Sequence, residues 1–114
     1  MLICGESDMR AQLTKALSAH ATVEAVSSRE DALNAVQERE HDAVFIDVDR
    51  SDESGFNTAA RIRRATTRRL RLIAVSEFNR TSDLAASRAA GFDLRVTRPI
   101  KIEQVLAALR TIRS

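Results

Sequence analysis

Short apolar runs alternate along the chain with segments in which apolar residues recur every three or four positions. The run at residues 43–46, closed by Asp47, has no polar interruption, which is typical of a strand buried on both faces. The apolar positions of residues 7–19 follow helical spacing and predict an amphipathic helix. We predict strands at residues 2–4, 22–26, 43–46, 72–75 and 94–97. The predicted helices are residues 7–19, a helix capped by Ser28, one opened by Gly55, one ended by Gly91, and residues 101–113.

The regular alternation of strand and helix, with connections of a few residues, predicts an α/β fold. Such a chain forms a parallel sheet with right-handed crossovers and helices on both faces. Ser28, with Asp31 three residues later, has the spacing of a helix N-cap and its acidic partner. The 114 residues have the size of one domain, so we interpret residues 1–114 as a single domain.

Composition narrows the class of protein. Hydrophobic residues make up 44% and charged residues 30% of the chain, as in folded globular proteins. No apolar run reaches membrane-spanning length, so we expect no membrane segment. The net charge of +2 is too small to argue for nucleic acid. The arginines between residues 61 and 71 lack accompanying aromatic residues, and we interpret them as a solvated face rather than a nucleic-acid surface.

A single cysteine, Cys4, rules out an internal disulfide and favours a reducing, cytoplasmic setting. Within a strand, Cys4 is interpreted as a small core residue, with a redox-sensing thiol as the alternative. His20 and His41 stand at the ends of predicted elements without partners at metal-ligand spacing. We interpret both as surface residues.

Polar residues follow the predicted strands at the edge where open parallel sheets bind ligands. Asp47 and Asp49 follow the third strand, and Ser76 ends the fourth. Glu6 follows the first strand and Arg98 the fifth. A nucleophilic carboxylate, a hydroxyl and a cation are the groups that phosphorylation of an aspartate requires.

These positions resemble the receiver domains of bacterial two-component signalling. "DAVFIDVDRSDESGFNTAARIR" (residues 42–63) resembles the receiver segment whose third strand ends in the phosphoacceptor, with Gly55 eight residues after Asp47. "LIAVSEF" resembles the fourth strand with its terminal hydroxyl, here Ser76. "AAGFDLRVTRPIKIEQVLAAL" resembles the fifth strand, the Lys-Pro pair (here Arg98-Pro99) and the last helix, and its Gly-Phe-Asp is similar to receivers of hybrid histidine kinases. The resemblance implies a flavodoxin-like (βα)5 doubly wound sheet in the order 2-1-3-4-5.

The resemblance also implies the roles of individual residues. Asp47 would accept the phosphoryl group, Ser76 and Arg98 would contact it, and Arg95 occupies the switch position that is usually aromatic. The implied Mg²⁺ ligands are Glu6, Asp47 and Asp49. Cys4 and Gly5, however, stand where the family has two adjacent acids. Because Mg²⁺ prefers oxygen ligands, including carboxylates, we expect a weak or absent metal site.

Two functions follow from the resemblance. The first is a phosphorelay receiver that takes a phosphoryl group from a histidine kinase or phosphotransfer protein. It would pass the signal through the face of the helix ending at Gly91, the fifth strand and the last helix, where a homodimer would also form. The alternative is a pseudo-receiver that binds a protein partner irrespective of phosphorylation. We expect neither to be a turnover enzyme.

A third reading, a flavodoxin-like enzyme or nucleotide binder, lacks a phosphate loop. The three glycines at 5, 55 and 91 are too far apart to form one.

Overall fold

The computed structural model of the chain describes residues 1–5, 7–20, 22–39, 41–48, 54–66, 70–76, 91–97 and 100–113. The strands are β1 (Leu2–Cys4), β2 (Glu24–Val26), β3 (Ala43–Asp47), β4 (Arg71–Ser76) and β5 (Leu94–Thr97). The helices are α1 (Ser7–Leu17), α2 (Arg29–Glu38), α3 (Ser54–Ala65) and α4 (Ile102–Arg113). The helix predicted to end at Gly91 lies outside the described residues.

The five strands form one parallel sheet in the order β2-β1-β3-β4-β5, which confirms the predicted fold class and strand order. The central strand β3 pairs with β1 on one side and with β4 on the other. Phe45 thus lies opposite both Ile3 and Ile73. All five residues of β3 are buried, because helices cover both faces of the sheet.

Two apolar cores form on the two faces, since successive residues of a strand point to opposite sides. One core joins β1, β3 and β4 to α2 and α3, and includes Leu2, Val44, Leu72, Ala35 and Ile62. The other joins the same strands to α1 and α4, and includes Ile3, Phe45, Val75, Leu13 and Leu109. The period-two pattern of the strands therefore decides which helices each residue meets.

Helix α2 begins at the N-cap that the sequence predicts. Ser28 has an extended backbone, and its side-chain oxygen accepts a hydrogen bond from the Asp31 backbone N–H at 3.1 Å. Glu30 and Asp31 place negative charge in the first turn, where it interacts favourably with the helix dipole. The α2 N-terminus is consequently fixed close to the end of β2.

Arg63 departs from the solvated face predicted for the arginine run. Its guanidinium is half-buried and donates to the Gly91 carbonyl from Nε at 3.1 Å and from Nη2 at 2.9 Å. It also binds the Leu70 carbonyl and the Asp93 carboxylate, which in turn accepts from the Leu72 backbone N–H at 2.9 Å. Arg63 thereby connects α3 to the segments that enter β4 and β5.

Gly91 has a φ of +99°, a conformation that side-chain-bearing residues rarely adopt. A Cβ at this position would also lie 3.0 Å from Arg63 Cγ. Gly91 is therefore suited both to the turn before β5 and to close contact with the arginine.

The imidazole of His41 is covered at the amino-terminal edge of the sheet, although the residue as a whole is partly exposed, so the prediction of a plain surface residue was wrong. Its imidazole is 7% exposed and lies 3.1 Å from Glu24 Oε1, on a carboxylate that Arg39 also binds. Burial lowers the pKa of His41, although the neighbouring Glu24 carboxylate opposes this. The hydrogen bond from Arg39 lowers the pKa of Glu24. The sequence pattern misses this cluster because β2 and β3 bring its members together only in the folded sheet.

Candidate functional site

Asp47 is the last residue of β3, at the carboxyl-terminal edge of the sheet. It is paired with Val75 of β4, and the next backbone N–H, that of Val48, donates to the Val75 carbonyl at 3.1 Å. The residue is only 6% exposed. Asp47 is therefore held in the middle of the sheet edge, where neighbouring strands end on either side.

Gly5 lies directly beside Asp47, just beyond the end of β1. A Cβ placed on Gly5 would stand 3.1 Å from Asp47 Cβ and 2.6 Å from Met9 Sδ. Met9 of α1 is itself buried. The space in which a side chain at position 5 would start is thus already filled by the methionine.

Cys4, the neighbouring residue in β1, is 8% exposed and packs in the core with α2 and α3. Its thiol donates weakly to the Ser28 carbonyl, with a sulfur–oxygen distance of 3.9 Å. The interpretation of Cys4 as a small buried residue is confirmed. Neither of the two positions where acids were expected therefore brings a carboxylate toward Asp47.

Gly55 opens the first turn of α3 against the backbone that follows β3. A Cβ at Gly55 would lie 2.4 Å from the Asp47 carbonyl oxygen and 2.9 Å from Val48 Cα. Only glycine permits this approach without a shift of the backbone. The eight-residue spacing from Asp47 to Gly55 thus has a physical reason, since it marks where α3 touches the end of β3.

A cleft of about 390 Å³ opens beside Asp47, between the first turns of α2 and α3. Its volume lies within the roughly 300–1,000 Å³ that is usual for small-ligand pockets. The lining is largely polar and includes Ser28, Arg29, Asn57 and Thr58. Asp47 is among the residues that border this cleft, which opens on the α2–α3 side of the sheet.

Ser76, the last residue of β4, is 4% exposed and lies on the other side of Asp47 from Gly5. Its Oγ accepts a hydrogen bond from Arg95 Nη2 of β5 at 3.3 Å. The Nε and Nη1 of Arg95 are buried and have no hydrogen-bond partner within the described ranges. The sequence put both residues at the site but did not indicate this contact.

The end of β5 is anchored by Gln104 of α4, a residue that the sequence analysis missed. Gln104 Oε1 accepts from the Thr97 backbone N–H at 3.0 Å and from Thr97 Oγ1 at 3.1 Å. No pattern in the linear sequence indicates it, because its partner Thr97 lies seven residues away in a different element. The bonds fix the backbone immediately before Arg98.

The structure brings Asp47 and Ser76 to one edge of the sheet, and the guanidinium of Arg95 reaches Ser76 from within β5. Glu6, Asp49 and Arg98 lie outside the described residues, so their roles stay predictions.

The described donor set falls short of a Mg²⁺ site. Across the described positions, no three His, Cys, Asp or Glu side chains converge. The carboxylates bordering the described cleft are Asp47 and Glu30, and Glu30 is largely exposed beside Arg29. A thiol and a glycine occupy the two expected acid positions, and Mg²⁺ requires oxygen ligands. Glu6 and Asp49, which the resemblance gives as the other ligands, lie outside the described residues.

The model of the response regulator receiver domain family matches residues 2–110. The chain belongs to this family. It is thus a receiver domain of the kind found in two-component response regulators, and signal transduction is the process in which such domains act. Receiver domains generally bind Mg²⁺ at the phosphorylation site and interact with histidine kinases or phosphotransfer proteins.

Solved structures agree with the fold of this receiver domain. CheY4, a chemotaxis protein of Vibrio cholerae, has a TM-score of 0.86 and 18% identity, over 97% of this chain and 95% of that one. A two-component response regulator from Clostridium difficile has a TM-score of 0.85 and 21% identity, over 98% and 93%. A CheY-like receiver domain from Methylobacillus flagellatus has a TM-score of 0.84 and 29% identity, over 97% and 95%. A comparison with curated proteins yields no match.

None of the four described helices combines the length and the apolar character that a membrane-spanning helix needs.

Proposed function

We propose that this receiver domain accepts a phosphoryl group on Asp47 from a histidine kinase or phosphotransfer protein. The observation that carries the proposal is the position of Asp47, at the end of the central strand, bordering the cleft and one strand away from Ser76. An Asp47 carboxylate oxygen would bond to phosphorus as the P–N bond to the donor's histidine breaks. The electron pair of that bond leaves with the imidazole nitrogen, and an acyl phosphate forms.

The phosphoryl group brings about two negative charges to this edge. At an effective dielectric constant near 20, two unit charges about 4 Å apart interact by roughly 4 kcal/mol. The lifetime of the phosphorylated state therefore depends on how much nearby positive charge offsets the negative charge of the phosphoryl group. Arg95 stands behind Ser76, and the positive end of the α3 dipole begins next to Asp47. Arg98, by its place after β5, is proposed as the third source of positive charge.

Mg²⁺, when bound, would neutralise charge on the phosphoryl oxygens. Glu6, Asp47 and Asp49 would hold it, and we propose that they do so weakly because Cys4 and Gly5 contribute no carboxylate. An isothermal titration of the unphosphorylated chain with MgCl₂ measures the affinity. Tight binding would contradict the weak site.

The signal would leave through the face that contains β5, α4 and the helix predicted to end at Gly91. Ile102 of α4 is 45% exposed, and among the described residues it is the large hydrophobic side chain that is exposed to solvent. We propose this face as the surface that binds a protein partner, including a second copy of the chain. The domain would relay its own phosphoryl group and would not turn over a substrate.

Intact mass spectrometry tests the acceptor directly. The chain is incubated with a small phosphodonor and Mg²⁺, and we expect a mass gain of one phosphoryl group. Asp47→Asn should abolish the adduct. Asp42→Asn, at an exposed position before the amino end of the same strand, is the matched control and should keep it. An unmodified wild-type chain, under conditions that phosphorylate another receiver, contradicts the proposal.

A pseudo-receiver is the second candidate, favoured by the way Met9 fills the space at Gly5. In that case the chain would bind its partner without phosphorylation. NMR spectra recorded with Mg²⁺ and beryllofluoride, a phosphoryl mimic, separate the two functions. Shifts at Ser76 and Arg95 support the phosphoacceptor, whereas unchanged spectra of the folded chain support the pseudo-receiver.

A further inference from the structure

We infer that Arg95 is a positioning residue for the phosphoryl group, acting through the Ser76 hydroxyl. It orients that hydroxyl and places a positive charge directly behind it. The inference rests on the proposed phosphorylation of Asp47. It assigns to Arg95 a hydrogen bond and a positive charge that an aromatic residue at the switch position could not supply.

The sheet register sets the contact. Arg95 is paired with Ala74, and Ser76 with Thr97, so Arg95 and Ser76 are diagonal neighbours on adjacent strands. Ala74 and Ser76 lie two residues apart in β4 and share one face of the sheet. The long Arg95 side chain can therefore run along this face to the strand end, where Nη2 reaches Ser76 Oγ at 3.3 Å.

The chemistry of the two groups gives the bond a direction. A guanidinium can only donate hydrogen bonds, so Ser76 Oγ is the acceptor and its own hydrogen is directed to a different acceptor. With a phosphoryl group on Asp47, one strand away, a phosphoryl oxygen would become that acceptor. A hydroxyl that accepts from a cation is polarised and donates more strongly, so the two bonds reinforce each other.

Stability alone does not account for Arg95. Its Nε and Nη1 are buried without partners within the described part of the chain, an arrangement that disfavours the folded state. Arg63 provides the contrast, because its three guanidinium nitrogens all bind carbonyl or carboxylate oxygens. An apolar side chain of similar length at position 95 should therefore leave the fold at least as stable, while the site loses its charge.

A double-mutant cycle tests this coupling. Beryllofluoride affinity is measured by NMR at fixed Mg²⁺ for the wild type, Arg95→Met, Ser76→Ala and the double variant, and stability by urea unfolding. We expect Arg95→Met to weaken binding about tenfold, equivalent to about 1.4 kcal/mol, without loss of stability. Ser76→Ala should weaken it similarly, and the double variant should be no weaker than Ser76→Ala.

Two further variants give the test its controls. Arg95→Lys retains the charge and a donor, so it should recover part of the affinity lost in Arg95→Met. Arg61→Met, on the exposed side of α3, should change neither affinity nor stability. If Arg95→Met does not fold, the cycle is run with Arg95→Gln, which also removes the positive charge.

The possible failures are distinguishable. A wild-type chain that forms no beryllofluoride complex rejects the proposed function, and the role of Arg95 with it. If the wild type binds but the effects of Arg95 and Ser76 are additive, the inference alone is overturned. The inference is also overturned if Arg95→Met loses stability and beryllofluoride affinity together, and does so equally in the presence and absence of the Ser76 hydroxyl.

Discussion

Replacing Gly55 with alanine tests how tightly α3 is packed against the end of β3. The added Cβ would lie 2.4 Å from the Asp47 carbonyl oxygen and 2.9 Å from Val48 Cα. Both are backbone atoms, so no side-chain rotation can relieve the contact. The substitution therefore has to move either the start of α3 or the strand end that carries Asp47.

The expected cost follows from these distances. An ordinary carbon–oxygen contact is about 3.3 Å or longer, so a shift of roughly 0.9 Å is needed. Overpacking of a dense interior costs about 1–3 kcal/mol. Alanine recovers up to about 1 kcal/mol over glycine through its helix propensity. We expect Gly55→Ala to lower the free energy of unfolding by about 1–2 kcal/mol.

Urea denaturation followed by far-UV circular dichroism is the suitable assay, since the chain has neither tryptophan nor tyrosine. Gly5→Ala is the matched control, because its closest contact would be the side chain of Met9 at 2.6 Å, which can adjust. Its loss should be smaller than that of Gly55→Ala. Wild-type stability in Gly55→Ala, or a larger loss in Gly5→Ala, would refute the close-approach explanation.

Other substitutions test contacts elsewhere in the fold. Arg63→Ala should lower the free energy of unfolding by about 1.5–3 kcal/mol, because it removes hydrogen bonds made by a charged group. Arg61→Ala, at an exposed position of the same helix, should stay within about 0.5 kcal/mol of wild type. Equal effects of the two substitutions would argue against the Arg63 network. Burial lowers the pKa of His41, so the unfolded chain takes up the proton first and stability should fall as the pH drops below about 6.5. His41→Gln should weaken that slope between pH 7 and 5, and an unchanged slope would exclude His41 as its source. Because the pKa of Glu24 is lowered in the folded chain, it contributes stability that is present above about pH 4.5 and lost in stronger acid. Glu24→Gln should therefore reduce the decrease in the free energy of unfolding, measured with urea, as the pH falls below about 4.5. Ser28→Ala should cost about 1 kcal/mol by removing the α2 N-cap, and a stability equal to wild type would mean that the cap contributes nothing.

The elements and their order could be predicted because they depend on local patterns. The period-two and helical periodicities identify every described strand and helix, and Ser28 was recognised as a cap from its spacing to Asp31. The boundaries were less accurate. The second strand was predicted at residues 22–26 and observed at Glu24–Val26. Strand ends depend on hydrogen bonds to neighbouring strands, which a linear pattern does not contain.

The identity of the site residues was also accessible before the structure. Chain order placed Asp47 and Ser76 at the carboxyl-terminal edge, because parallel strands all end there. The resemblance to receiver domains placed Arg95 at the switch position within the fifth strand. Which side chains touch was not accessible. The Arg95–Ser76 bond and the filling of the Gly5 position by Met9 depend on register and helix packing.

The amino-acid sequence alone determined the α/β architecture, the family and the carboxylate at the centre of the site, since these follow from periodicity, spacing and residue type. Tertiary structure decided the burial of His41, the bonding of Arg63 and the contacts that surround Asp47. These features join residues that are distant in the chain, and their geometry is set by the dense packing of helices on a sheet of fixed register.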